Sequence, residues 1–489
     1  MEKYMGNKSK LLEFIYENVE KNRKKTEKSI FDAFTGTTNV GKYFKKKGYD
    51  VTTNDINDLS LSLGKCYIEN CKIPVFDNLI NSNTYFSNNY KKVINTDTFN
   101  EHLKKLIFEN KNTVSQKFLK ENKDSTYFKV LTYLTYYASP GDYDSECEEN
   151  NDNKTCFLQK NYCEFGDNSK YINLVYKKTL DNILKNFEKK GIQASCVKNI
   201  KSFFKYPHDV KYLDKVLEVL DKKSDEYEKI SNIIKKGNVV GERKFFSIEH
   251  AKRLDIILNT IVYWNNNGYL EDYEYDILIT GLIETITIFS NTSATYQAFY
   301  KDYRANTLQP FRIVIPEIII GKGTYKCYQN DVFNTVDLVE SDILYLDPPY
   351  NWRQYDSNYH LLNTIAKYNK IKDIEKFEKN IVGASGENRV EKLKYTSFNQ
   401  RATFEEQLFE LIKLSKSKLI VLSYSDSESN HQIKQINTTI EKISTFMKDE
   451  NIFIPGSFKL IKYNRKNFES RKDNKKASIN ELLFIARKW

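Results

Sequence analysis

The chain has 489 residues, which exceeds what one hydrophobic core usually serves, so its length predicts about two or three domains. Its residues are 40% hydrophobic and 14% aromatic, a content that supports packed cores and excludes global disorder. The formal net charge of +11 favours a polyanionic partner, and nucleic acid is the partner it supports.

The seven cysteines are scattered along the chain and form no Cys-x-x-Cys pair, so neither a zinc site nor a disulfide framework is predicted. Free thiols are typical of a reducing cytoplasm. No stretch approaches the roughly 18 apolar residues that a membrane helix needs, and the amino terminus has no apolar signal core. We therefore expect an intracellular, cytoplasmic protein without a membrane partner.

The first part of the chain has the pattern of a nucleotide-binding unit. Residues 29–33 form a strand that leads into a loop with Gly36, and glycine permits a positive φ and a close approach of ligand to backbone. The next strand, residues 50–53, leads to Asp55, where a carboxylate can accept hydrogen bonds from ribose hydroxyls. The loop lacks the glycine triplet of dinucleotide sites, so a nucleoside such as S-adenosylmethionine fits better.

Residues 76–240 differ from the rest in composition, because Asn, Lys, Tyr and Ser dominate and strands are hard to find. Amphipathic helices are predicted at 178–189 and 212–235. The acidic tract at 142–153 lacks the spacing of a calcium loop, so we interpret it as a solvated loop.

Residues 242–304 have a clearer pattern of two helices. Ser247 is placed to cap the first, which ends near 265–268, and the second carries apolar residues from Leu278 to Phe289. Residues 291–304 then mix aromatic, polar and basic side chains, a mixture that suits contacts to phosphates and bases. A solvated helix would have the same composition, so both interpretations stay open.

From residue 311 onward, strands and helices alternate. The pattern predicts a β-branched run of strand type at 311–320, a short strand at 325–327, a strand ending at Asp347, helices at 360–368 and 404–414, a strand at 418–424 and a closing pair of strands at 458–463 and 481–486. This alternation indicates a mostly parallel sheet covered by helices.

The chain is organised around Asp347-Pro348-Pro349-Tyr350, which ends the apolar strand at 343–346. The two prolines remove backbone donors and fix φ, so the chain must turn out of the sheet. A carboxylate and an aromatic ring are thereby placed at a strand's carboxyl end, where open α/β sheets bind ligands. Asp347 and nearby carbonyls can accept hydrogen bonds from an exocyclic amine, and Tyr350 can stack on the ring that bears it. An ordinary strand exit with a proline turn is the alternative.

Together these motifs resemble the Dam-like class of DNA N6-adenine methyltransferases, including members associated with restriction–modification systems. The matching segments are Tyr4-Met5-Gly6-Asn7-Lys8, Phe34-Thr35-Gly36, Asn54-Asp55-Ile56-Asn57, Asn330-Asp331-Val332-Phe333, Asp347-Pro348-Pro349-Tyr350 with Asn351-Trp352-Arg353-Gln354-Tyr355, and Glu481-Leu482-Leu483. The resemblance covers about residues 1–75 and 240–489. Two departures are Gly36-Thr37-Thr38, where small residues or a second glycine are common, and a longer stretch at 76–240.

The resemblance implies an α/β fold, a Rossmann-like S-adenosylmethionine-dependent methyltransferase sheet with a large, mainly helical inserted recognition domain. Cofactor contacts are implied at Tyr4, Lys8, Phe34, Thr35, Gly36, Asp55, Asp331 and Asp347. The loop of Phe34 to Gly36 would lie beside the methionine moiety, and Asp331 would meet the cofactor's adenine. The catalytic set is Asp347, Pro348, Pro349 and Tyr350, with Asp347 and the Pro348 carbonyl holding the N6 hydrogens of a flipped adenine. No metal is required.

The resemblance also divides the chain into domains. Residues 1–75 and 311–489 would form the catalytic domain, and 76–310 an inserted target-recognition region. Within it, 76–240 is an extra insertion and 241–310 holds the family-like helices; the predicted DNA contacts are Tyr296, Lys301 and Arg304. Residues 76–240 could instead be an accessory domain that adds non-specific affinity.

Several other functions remain open from the sequence. An N4-cytosine methyltransferase could hold its amine in the same pocket, and a catalytically inactive nucleic-acid-binding relative could keep the fold. A protein glutamine methyltransferase fits less well, because those proteins resemble Asn-Pro-Pro-Tyr. A fused endonuclease in residues 76–240 is a further alternative, as in some restriction systems, although that stretch has no convincing Asp/Glu-x-Lys catalytic cluster. A cognate restriction endonuclease could instead act separately on the same double-stranded DNA.

Overall fold

A computed structural model describes residues 8–143, 156–163, 222, 243–300, 302–349, 355–382, 385–388, 398, 403–426, 433–466 and 478–489. The predicted helix at 178–189 and nearly all of that at 212–235 lie outside these residues, as does most of the acidic tract at 142–153. Within the described ranges, no helix is long and apolar enough to cross a membrane.

Among the described residues, seven strands form one mixed sheet in the order β3-β2-β1-β4-β7-β9-β8. Strands β3, β2, β1, β4 and β7 are mutually parallel, and β9 and β8 complete the sheet as antiparallel strands. The bounds are β1 Ser29–Asp32, β2 Asp50–Asp55, β3 Tyr325–Gln329, β4 Ile343–Leu346, β7 Leu419–Ser425, β8 Lys459–Lys466 and β9 Ser478–Arg487, while β5 Ile381–Val382 and β6 Glu387–Asn388 form a separate pair. The prediction of a mostly parallel sheet with a closing hairpin is confirmed.

The helices of the described residues lie around this sheet and in a second, helical unit. In chain order they are α1 Leu12–Asn22, α2 Asn39–Lys46, α3 Asp58–Gly64, α4 Asp77–Ser82, α5 Thr84–Val93, α6 Asp97–Glu109, α7 Gln116–Asn122, α8 Thr126–Tyr136, α9 Phe157–Tyr162, α10 Ile248–Asn266, α11 Asp272–Phe289, α12 Tyr355–Asn358, α13 His360–Ala366, α14 Ile374–Lys379, α15 Phe404–Leu414 and α16 Ile433–Phe446. A π-helical turn, Lys65–Glu69, follows α3.

Both faces of the sheet are covered by helices. Alternate side chains of each strand point to opposite faces, so each central strand contributes to two cores. On β4, Ile343 and Tyr345 belong to the core shared with α1 and α2, where Ile15 and Phe44 lie. Leu344 and Leu346 belong to the other core, which α15 and α16 help to form. The apolar run before Asp347 is therefore a central strand with two buried faces.

The helical unit has one continuous core. The ring of Phe86 in α5 contacts Trp264 in α10 at 5.0 Å between ring centroids and Tyr133 in α8 at 4.9 Å. Residues from 76–143 therefore pack directly on the two helices that the pattern predicted at 242–304.

The β-branched run at 311–320 is not a strand, and this prediction was wrong. Its backbone is bound by side chains of helices: Ile315 N–H donates to Oδ1 of Asn110 (3.0 Å), and Val314 N–H donates to Oγ1 of Thr285 (2.8 Å). At Gly281 on α11, a Cβ would lie only 3.0 Å from the carbonyl oxygen of Val314. The run therefore crosses α11 at close range. Its apolar side chains are buried by this packing and not by a sheet.

Candidate active site

Three acidic residues lie at the carboxyl ends of neighbouring parallel strands. Asp32 ends β1, Asp55 ends β2, and Asp347 follows β4. Since β1 lies between β2 and β4 in the sheet, these strand tips are adjacent. The carboxyl edge of an open parallel sheet is the usual place for a ligand, so the three carboxylates define a candidate site.

The loop after β1 has a backbone shape that only some residues tolerate. Gly36 has φ of +49° and Thr38 has φ of +60°, both in the left-handed region, where a non-glycine residue is strained. The N–H of Gly36 donates to Oδ2 of Asp55 over 2.9 Å. The N–H of Thr35 donates to the carbonyl of Asn54 over 3.0 Å. The predicted cofactor loop is thus bound to the tip of β2.

Asp55 is half-buried and held in one orientation. Its Oδ1 accepts hydrogen bonds from the backbone N–H of Asn57 (3.1 Å) and from the Asn57 side chain (2.9 Å). Because carboxylate oxygens have further lone pairs, Asp55 can still accept from a ligand hydroxyl.

Asp32 was not among the predicted site residues. Its side chain is 2% exposed, and Oδ2 accepts a hydrogen bond from Oγ1 of Thr35 over 3.0 Å. Its Oδ1 is buried and has no hydrogen-bond partner in the described structure. Burial and, to a smaller extent, the charges of Asp347 and Asp55 together raise the pKa of Asp32 to about 7, against the lowering effect of the hydrogen bond from Thr35. An acidic residue two positions before Phe34 was the sequence signal that could have identified it.

Lys8 joins the predicted catalytic motif to strand β9. Its side chain is 6% exposed, and Nζ lies 3.3 Å from Oδ1 of Asp347 and 3.2 Å from Oε2 of Glu481 in β9. The pKa of Asp347 is raised to about 6, because burial and the charge of Glu481 raise it more than Lys8 lowers it. Lys8 was predicted as a cofactor contact, and Glu481 only as part of a matching motif.

Asp331 and an aromatic group form the side of the site beyond β2. Asp331 is exposed, and its Oδ1 accepts a hydrogen bond from the N–H of Phe333 over 3.0 Å. The ring of Phe34 meets Phe398 edge-on with centroids 5.1 Å apart, and Phe398 stacks on Phe333 at 5.9 Å. Phe34 therefore belongs to an apolar cluster beside the exposed Asp331 carboxylate.

The described residues include only part of the predicted catalytic motif. Asp347, Pro348 and Pro349 are described, whereas Tyr350 and residues 351–354 lie outside the described residues, as do Tyr4 and Lys301. No group of His, Cys, Asp and Glu side chains able to hold a metal ion occurs in the part of the chain that the structure describes.

The structure contradicts the predicted DNA contact at Tyr296. This side chain is 2% exposed, and its ring stacks on Phe245 with centroids 6.1 Å apart. Its hydroxyl reaches Oγ of Ser290 at 3.4 Å. The ring is part of the helical core and has no surface to offer DNA. By contrast, Arg304 is exposed, and its guanidinium lies over the ring of Tyr300 at 4.4 Å.

A mostly parallel sheet with carboxylates at neighbouring strand tips is typical of α/β proteins that bind a ligand at this edge. Residues 4–241 and 210–453 match the family model of D12 class N6 adenine-specific DNA methyltransferases. The chain belongs to this family, which confirms the resemblance drawn from the motifs.

Named relatives include restriction-system methyltransferases. The chain is 29% identical over 249 residues to type II methyltransferase M.FokI of Planomicrobium okeanokoites, covering 50% of this chain and 35% of that protein. It is 30% identical over 251 residues to type II methyltransferase M.NlaIII of Neisseria lactamica, covering 50% and 68%. It is 31% identical over 248 residues to modification methylase StsI of Streptococcus sanguinis, covering 50% of this chain and 34% of that protein. The match thus spans about a third of M.FokI and StsI.

Proposed function

We propose that the protein transfers a methyl group from S-adenosylmethionine to N6 of a flipped adenine at a specific site in double-stranded DNA. The observation that carries this proposal is Asp347, held at the carboxyl end of β4 beside Asp32 and Asp55, in a chain of the D12 family. As in the relatives named as type II enzymes, the activity would belong to a restriction–modification system, with a cognate endonuclease as a separate protein.

The residues at the strand tips fit the proposed cofactor. The buried Oδ1 of Asp32, which has no partner among the described residues, suits a cationic amino group, and the remaining lone pairs of the half-buried Asp55 suit ribose hydroxyls. Phe34 offers an apolar ring beside the loop, and Asp331 an exposed carboxylate for an exocyclic amine. Tyr4, Lys8, Thr35, Gly36 and Asp347 complete the set that the family resemblance implies.

When bound, the cofactor supplies a methyl group already activated on sulfur, so the protein's part is to hold and orient the target amine. Ionised Asp347 accepts one N6 hydrogen and the Pro348 carbonyl accepts the other, which points the nitrogen lone pair away from both. Pro349 fixes the turn that brings these acceptors together. Tyr350 would stack on the extruded base, an interaction worth roughly 1–3 kcal/mol.

Contacts to DNA are proposed for the segment that follows α11. Three hydrogen bonds attach it to the chain just beyond the catalytic motif: Tyr296 N–H to Asn358 O (2.8 Å), Gln297 Nε2 to Ser357 O (2.7 Å), and His360 Nε2 with Tyr296 O (3.0 Å). Arg304, at the exposed end of this segment, and Lys301 are the proposed phosphate contacts.

We also propose the domain division that the resemblance implies. Residues 1–75 and 311–489 would hold the chemistry, and 76–310 would read the DNA sequence, with 241–310 nearest the DNA. The helical unit formed by α4 to α8 with α10 and α11 is large, and its core also takes in side chains of α3 and α13, such as Leu63 and Leu361. Such an insertion supplies the groove-reading surface that the sheet edge lacks.

The test is direct. Purified protein is incubated with plasmid DNA and S-adenosylmethionine, and the DNA is digested to nucleosides for mass spectrometry. The proposal expects N6-methyladenine, with none formed by Asp347→Asn. Formation of N4-methylcytosine alone would move the function to the cytosine class.

A further inference from the structure

The buried carboxylate of Glu481 and the partly buried carboxylate of Asp347 share one ammonium group in the candidate active site. Lys8 Nζ lies 3.3 Å from Asp347 and 3.2 Å from Glu481, and Lys8 and Glu481 are 6% and 3% exposed. The three residues come from the segment before α1, the exit of β4 and strand β9. The group carries a net charge of −1 when all three side chains are ionised, in a place where burial makes each charge interact strongly.

Glu481 is placed there by the sheet itself. On β9 it lies opposite Ser425 at the end of β7 and opposite Tyr463 on β8. The antiparallel direction of β9 therefore brings this carboxylate to the tips of the parallel strands, where Asp347 lies.

The charged and titratable groups that face Asp347 are few among the described residues. Lys8 favours its ionised form, whereas Glu481 on β9 disfavours it. Asp347 and the buried Asp32 on β1 interact by charge, and so do Asp347 and the buried phenol of Tyr345 on β4. The pKa of Asp347 therefore depends on whether the Lys8 ammonium pairs with Asp347 alone or with Glu481 as well.

We propose that Glu481 is a positioning residue for methyl transfer: it holds the Lys8 ammonium between two carboxylates, so that Asp347 keeps a strongly basic oxygen for the adenine amine. This inference rests on the proposed function. If Lys8 paired with Asp347 alone, the aspartate would be a weaker acceptor, because part of its charge would be neutralised by the lysine. Glu481 touches no reacting atom in this account and acts through Lys8.

The matched test is Glu481→Gln in the full chain. Glutamine keeps an oxygen for the Lys8 hydrogen bond and removes only the charge. Two readouts are compared with wild type: the pH dependence of single-turnover N6-methyladenine formation, and the carboxyl ¹³C titration of Asp347, assigned with Asp347→Asn. We expect both apparent pKa values to fall by about 0.5–1 pH unit, with a lower kcat and an unchanged KM for DNA.

Two further variants separate this role from a structural one. Lys8→Met should move the pKa of Asp347 upward, opposite to Glu481→Gln. Glu27→Gln removes a carboxylate bound to Arg487 (2.7 Å) near the other end of β9, and should move neither titration. If Glu481→Gln does not fold, Glu481→Asp is used; its shorter carboxylate should release Lys8 and also lower the pKa of Asp347.

The outcomes distinguish this inference from the proposed function. If wild type forms no methyladenine, the proposed function fails, and the ¹³C titration still tests the Glu481 effect. If the wild type is active but Glu481→Gln changes neither the pKa of Asp347 in the ¹³C titration nor the apparent pKa of the methylation rate, the inference is overturned. An upward shift in that variant would overturn it as well.

Discussion

Oδ2 of Asp55 accepts a hydrogen bond from the N–H of Gly36 over 2.9 Å, so the tip of β2 holds the loop that follows β1. This bond explains why an acidic residue is useful at this tip even before a ligand arrives. It orients Asp55 and fixes the left-handed turn at Gly36 together. A change at Asp55 should therefore act on cofactor binding by two routes.

The first prediction concerns Asp55→Ala. The variant loses charge-assisted hydrogen bonds of roughly 1.5–3 kcal/mol each and the anchor of the Gly36 loop, so cofactor affinity should fall about 10- to 100-fold in calorimetry. Asp50→Asn changes a carboxylate at the opposite end of β2, one that accepts from Thr324 N–H, and should leave affinity unchanged. A dissociation constant within about twofold of wild type in Asp55→Ala would remove Asp55 from the cofactor site.

The second prediction concerns pH. Asp347 must be ionised to accept the amine hydrogens, and its pKa is raised to about 6, chiefly by burial. The single-turnover rate should therefore be constant above this pH and fall about tenfold per unit below it. Asp347→Asn should lose turnover at every pH while retaining DNA binding. An acid limb at the usual pKa of a solvated aspartate, about 3.9, would contradict this role.

The third prediction concerns the stability cost of Asp32. Its pKa is about 7 in the fold and about 3.9 in the unfolded chain, so folded Asp32 keeps a proton that the unfolded chain releases between these values. The contribution of Asp32 to the free energy of unfolding of the wild type is therefore complete at low pH. It declines by up to about 4 kcal/mol as the pH rises from about 4 to 7.

The variant Asp32→Asn does not titrate. Its melting temperature relative to wild type should therefore rise between about pH 4 and 7 and then level off, while cofactor affinity falls. Thermal unfolding at several pH values and calorimetry measure the two effects. A melting-temperature difference that is flat with pH would show that Asp32 is ionised in the fold.

Much of the sheet could be predicted because its strands have local signals. The strand before Asp347 and the hairpin that ends the chain lie within a few residues of the predicted bounds. The positions of Asp55 and Asp347 could also be predicted from the ends of these strands, because the carboxyl ends of parallel strands meet at one edge of the sheet.

The remaining features depend on contacts between distant parts of the chain. Lys8 and Glu481 are 473 positions apart, and no local pattern pairs them. The run at 311–320 has strand composition, but the hydrogen bonds that decide its shape come from Asn110 and Thr285. Tyr296 lies in a segment whose composition suits DNA contacts, but its ring stacks on Phe245 in the core. The spacing of residues in the sequence does not reveal this contact.

The fourth prediction concerns Arg304→Ala. Loss of one phosphate contact should weaken DNA binding at all sequences and reduce the slope of log affinity against log salt by about 1. Lys416→Ala is a matched control, because this exposed lysine pairs with Glu340 just before β4 and β7, at the opposite edge of the sheet. Fluorescence anisotropy at several salt concentrations measures both. An unchanged slope in Arg304→Ala would exclude the contact.

The central claim is that this chain methylates adenine N6 at a defined DNA site. The most direct measurement combines nucleoside mass spectrometry with sequencing of plasmid treated by the purified protein and S-adenosylmethionine. The account predicts N6-methyladenine confined to one sequence context and absent with Asp347→Asn. Bound cofactor without any N6-methyladenine on DNA that contains every short sequence context would contradict it.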